Sequence, residues 1–170
     1  MKNPFLKILV CFGFILFFSC GLAKMTSPDN IGTRAFEVLK NIPHSTDQEF
    51  FADYMSIDDL HQLAKDSITD TGSQEILLSR TEAEYRKQVM EDLTAIKRKA
   101  KKLGIELDNI TYQNFESKLK SKDGVSGVDG KLFFGFDGKA YQLKVKAVRY
   151  KKRYEFSTMN DLEISKPQSP

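Results

Sequence analysis

The chain has 170 residues, 41% of them hydrophobic and 11% aromatic, with no Trp and a formal charge of +3. That length suits one hydrophobic core, and that apolar content excludes a disordered chain. Lys2 and Lys7 precede the first apolar run, and without them the formal charge falls to +1. A nearly neutral body lacks the concentrated positive field by which nucleic-acid binders engage phosphates, so no nucleic-acid partner is expected.

The N-terminus divides into three parts. "MKNPFLK" is a short positive region, "ILVCFGFILFF" an apolar run and "SCGLA" a stretch of small residues. This is the layout of a secretory signal. A spanning helix needs about 20 apolar residues, and the run from Ile8 to Ala23 is shorter and already broken by Ser19, two Cys and two Gly. Cys20, between Ser19 and Gly21, resembles the lipobox of bacterial lipoproteins, where the cysteine after a small residue is acylated and becomes the new N-terminus. Phe17 stands where that pattern favours Leu. The resemblance implies lipid attachment at Cys20 and a membrane partner through that anchor, on the outer-membrane or periplasmic face of a bacterial envelope. The competing reading is cleavage after Ala23, with Gly21 and Ala23 as the small residues, and a periplasmic or secreted product. Cys11 and Cys20 are the only cysteines. Discarding residues 1–19 would leave Cys20 without a disulfide partner, a leftover that a thioether to lipid resolves.

The expected division is a signal peptide over 1–19, a tether over 20–31, one domain over 32–160 and a tail over 161–170. In the first half, "TRAFEVLKNI" reads as a helix ending before Pro43, which cannot continue it. "TDQE" at Thr46–Glu49 fits a capping box, "SIDD" at Ser56–Asp59 a looser one and "SRTE" at Ser79–Glu82 another. Helices are therefore predicted to start near 47, 57 and 80. The last runs to 103, because Val89, Leu93, Ile96, Ala100 and Leu103 recur at helical spacing and Gly104 supplies the stop. The cations of its closing "KRKAKK" read as a solvated face that favours the negative end of the helix dipole.

Strands follow. "NITYQNFESKLK" alternates loosely, and "KLFFGFDGKAYQLKVKAV" is a hairpin announced by Asp137-Gly138. Tyr141, Leu143, Val145 and Ala147 should face the core, while Gln142, Lys144 and Lys146 face water. "RYKKRYEF" gives another turn and a closing strand with Tyr154 and Phe156 on one face. Gly124, Gly127 and Gly130 read as a flexible link between the first two strands. Helices followed by antiparallel strands predict an α+β fold, its N-terminal helices packed on a curved sheet of about four strands.

This order, with the stretch "DQEFFADYMSIDDLHQLAKD", resembles the NTF2-like (cystatin-like) cone over about residues 32–160. It is similar in particular to small exported lipoproteins of Bacteroidetes-type bacteria that carry such a domain. The resemblance implies a pocket between helices and sheet and a binding domain without enzymatic activity, for a small apolar ligand or an envelope protein partner. The alternatives are an isomerase or dehydratase in the same cone, and a secreted interaction or inhibitor domain.

The candidate pocket residues are Asp53, Tyr54, Asp58, Asp59 and His61, and none sits on a catalytic motif. Asp58 and Asp59 read as first-turn helix acids, and His61 as a surface partner of Asp58. No catalytic residue is assigned. No metal or cofactor is expected, because His44 and His61 are the only histidines and zinc favours three or four N/S ligands. Ser126 in "GVSGVDG" lacks the nucleophile elbow of a serine hydrolase. The basic, aromatic stretch "KVKAVRYKKRYEF" reads as alternate strand positions facing water.

Overall fold

The computed structural model describes residues 25–122 and 124–165. The expected export signal, Cys11 and Cys20 lie outside the described residues, as do residues 166–170 of the expected tail, whereas its residues 161–164 belong to the last strand. Among the described residues five α-helices precede four strands: α1 (Pro28–Asn41), α2 (Asp47–Phe51), α3 (Ile57–Ser67), α4 (Thr71–Ser79), α5 (Glu82–Leu103), β1 (Thr111–Lys122), β2 (Val125–Phe136), β3 (Lys139–Tyr150) and β4 (Arg153–Ile164). The strands form one antiparallel meander in the order β1-β2-β3-β4, curved and unclosed, on which the helices pack. The fold is α+β, with N-terminal helices preceding the sheet.

Local chemistry places each helix. Pro28 starts α1 with its fixed φ, inside the stretch read as tether, because Met25 is already buried and anchored. The Thr46–Glu49 box opens α2, and the Ser56 hydroxyl caps α3. The box of α5 lies two residues beyond its expected place, with Thr81 and Glu84 satisfying each other's backbone amides in place of Ser79 and Glu82. Asp70 caps α4, a helix without a buried residue that the apolar periodicity could not announce. Gly104, at φ 70, ends α5 in the left-handed region open to glycine.

The expected stripe of α5 is buried at Val89, Leu93, Ile96 and Ala100, with Tyr85 added, and it packs on β4. From the sheet, Leu132, Phe134, Leu143, Val145, Phe156 and Met159 fill the space beneath, all below 2% exposure. Asp137 and Gly138 both have positive φ, as a type I′ turn requires. Lys151 and Lys152 do the same between β3 and β4. Bulges interrupt β1 at Gln113 and β4 at Ser157 and again near Asp161.

Gly127 and Gly130 belong to β2 itself, not to a flexible link. The Phe115 ring occupies the place of a Gly130 side chain, where a Cβ would come within 2.2 Å of it. Gly32 of α1 lets the helix close on the same residue, where a Cβ would lie 2.3 Å from that of Phe115. The two glycines therefore let one aromatic ring fill the junction of α1, β1 and β2.

Candidate functional site

The chemistry gathers where α3, α5 and β4 begin. A cleft of about 390 Å³ there is lined by residues of 51–59, by Glu82, Tyr85 and Arg86 of α5, and by Arg153 and Glu155 of β4. The segment Asp53–Met55 runs along β4. Phe156 donates its N–H to the Asp53 carbonyl and Met55 donates to the Phe156 carbonyl. That pairing buries Tyr154, Glu155 and Phe156 together, so the alternation expected of an exposed strand is lost here.

Glu155 is the most unusual group. It is 8% exposed. Its Oε1 is in contact with Arg153, and its Oε2 is buried without a hydrogen-bond partner. Removal from water pushes its carboxyl above the ordinary range, against the pull of Arg153. Tyr85 is pushed up to about 12, first by burial and then by the Glu155 charge. Arg153 also lies 3.6 Å from Asp59, which accepts a hydrogen bond from Lys151 at 2.8 Å. That bond holds the Asp59 carboxyl below the usual range. Arg86 pairs with Glu82 at 3.6 Å and sits 4.3 Å over the Phe51 ring. The wall holds four carboxylates (Asp58, Asp59, Glu82, Glu155) and two guanidinium groups. It can accept hydrogen bonds from a cationic donor.

The five residues singled out from sequence go to different tasks. Asp53 is buried and takes two bonds from Arg34 of α1, at 2.7 and 2.8 Å, which raises the Arg34 pKa. Tyr54 is buried, and its hydroxyl has no hydrogen-bond partner among the described residues. Desolvation, with Asp92 nearby, raises its pKa. Asp58 and Asp59 do occupy the first turn of α3. His61 does not pair with Asp58: its Nε2 donates to the Arg80 carbonyl at 2.9 Å, tying α3 to the start of α5. Ser126 is an exposed strand residue. The sequence does not single out Glu155, Tyr85 or Arg86, and it reads Arg153 only as part of a water-facing basic stretch, since only the non-local cover from Asp53–Met55 and α5 brings them together.

The basic stretches divide. Lys97, Arg98, Lys99, Lys101 and Lys102 are all exposed on α5. Lys144 and Lys146 face water with Asp161 and Asp129 at 3.5 and 3.9 Å. A second surface cleft, between α1 and α2, is lined by Arg34, Asn41, His44, Glu49 and Asp53. Among the described residues, no three His, Cys, Asp or Glu side chains gather as a metal site, and no helix is long and apolar enough to cross a membrane. No family model, no curated protein and no solved structure matches the chain.

Proposed function

We propose that the chain is an exported envelope lipoprotein, held to a membrane through an acyl group on Cys20, whose NTF2-like body binds a protein partner without an activity of its own. The observation that carries this reading is where the body begins. Met25 is 5% exposed, and its carbonyl accepts the Tyr154 N–H at 2.6 Å. Five residues after Cys20 the chain is thus joined to the sheet, so an anchor there would hold the body within about 17 Å of the lipid surface. The carboxylates that line the cleft beside Glu155, Asp58, Asp59 and Glu82, suit a basic side chain of the partner. A small apolar ligand is less well served, because aromatic and aliphatic side chains already fill the space between helices and sheet.

Intact mass of the protein extracted from membranes, compared with Cys20→Ala, tests the anchor. The expected result is a chain beginning at an acylated Cys20, and loss of the membrane-bound form in the variant. An unacylated N-terminus at Lys24 would overturn it in favour of the secreted domain. An isomerase- or dehydratase-type enzyme is the second reading, favoured by Glu155 and Tyr85 sharing one cleft. An NMR titration separates the two. A Glu155 carboxyl that takes up a proton near neutral pH favours acid–base chemistry, and one ionised throughout favours a binding wall.

A further inference from the structure

We propose that strand β1 is a homodimer interface, pairing antiparallel with β1 of a second copy to join the two sheets edge to edge. Strand β1 ends the sheet, and of its twelve residues only Phe115 is even half-buried. Phe136 and Lys139 flank the two-residue Asp137-Gly138 turn as a hydrogen-bonded pair, and bonding alternates along an antiparallel ladder. The even-numbered residues of β2 thus bond to β3, and Gly127, Asp129 and Lys131 bond to Lys120, Lys118 and Glu116 of β1. The N–H and C=O of Phe115, Ser117, Leu119 and Ser121 therefore point away from β2. The Phe115 N–H accordingly donates to Asn114 Oδ1 at 2.8 Å, a local stand-in for a strand partner. Leu119, on the core face of the sheet, is 69% exposed.

The sequence of β1 selects the register. With the twofold axis at Ser117, Phe115 faces the partner's Leu119 on the core face, and Glu116 faces the partner's Lys118 on the outer face. Each contact occurs twice, and Lys120 falls opposite the partner's Asn114. Neighbouring registers do worse. Centring on Glu116 or Lys118 sets like charges directly opposite, and centring on Leu119 opposes Lys118 with the partner's Lys120. Centring on Phe115 pushes Leu119 past the bulge at Gln113. Charge and apolar pairing thus agree on one symmetric solution, as a self-complementary interface requires.

Sedimentation velocity of the full chain in mild detergent tests this, with a charge swap. The wild type should dimerise as concentration rises through the micromolar range. Glu116→Lys or Lys118→Glu should each weaken the dimer about tenfold, since two opposite-charge pairs become two like-charge pairs. The double variant Glu116→Lys/Lys118→Glu should restore it. Leu119→Ser should weaken the dimer while leaving the monomer's melting temperature unchanged, which separates lost pairing from lost folding. The swap leaves residues 1–24 untouched, so restoration identifies β1 and not the N-terminal segment as the contact. A monomer at every concentration, a dimer indifferent to the single reversals, or a swap that fails to restore would each overturn the proposal.

Discussion

The two edges of the sheet are strands of equal length, twelve residues each, and the chain treats them oppositely. Along β4, Met25 and Asp53–Met55 take up backbone groups of Tyr154 and Phe156, and α5 lies across the strand. Along β1 the edge stays open, with lysines at 118, 120 and 122 on its water-facing side. An uncovered edge is a template for another strand, and charge is the usual guard against indiscriminate pairing. The difference shows that burial here is asymmetric by design of the sequence. The β4 edge carries the stability and the cleft, while β1 carries little of either and is left available.

The largest test of that contrast is Phe156→Ala. The ring is fully buried beneath the sealed edge, so its loss should cost about 3–5 kcal/mol in denaturant unfolding. Gly32→Ala should come next, at about 1–3 kcal/mol, because the added methyl meets Phe115 and α1 must lift. That cost falls at the inner side of β1, where the edge strand is still held.

Two carboxylates beside β4 should respond to pH with opposite signs. Asp59 is held low by Lys151, so its folded pKa lies below the unfolded one. Its contribution is present at neutral pH and lost as pH falls through the folded value. Asp59→Asn should therefore destabilise by under about 1 kcal/mol at neutral pH, a difference that closes in acid. Asp92 is raised, chiefly by burial. Its folded state binds protons more tightly, so stability declines as pH rises from the unfolded to the folded value. Asp92→Asn should raise the melting temperature at neutral pH, with no gain below the ordinary carboxylate range. The smallest effect belongs to the open edge: Leu119→Ala should change monomer stability by no more than about 0.5 kcal/mol.

Much of the fold was legible because its signals are local. The Thr46–Glu49 box, the α5 stripe, Gly104 and Asp137-Gly138 each state a backbone geometry within a few residues. The misplaced α5 box shows the limit: Ser79–Glu82 and Thr81–Glu84 both satisfy the pattern, and tertiary packing selects the second. Gly127 and Gly130 looked like a loop because their use, making room within a sheet for Phe115 and for the Ala147 carbonyl, is non-local. Glu155 stayed hidden for the same reason. Between Tyr154 and Phe156 it reads as a water-facing residue, and only the return of Asp53–Met55 to the edge of β4 buries it.

Amide hydrogen exchange, read by NMR at low and at high protein concentration, tests the asymmetry of the two edges most directly. In dilute protein the amides of Ser117, Leu119 and Ser121 should exchange rapidly while those of Tyr154 and Phe156 stay protected, and on concentration Ser117 and Leu119 should slow. Protection at Ser117 and Leu119 equal to that at Tyr154 in dilute protein, or rapid exchange at Tyr154 and Phe156, would contradict the account.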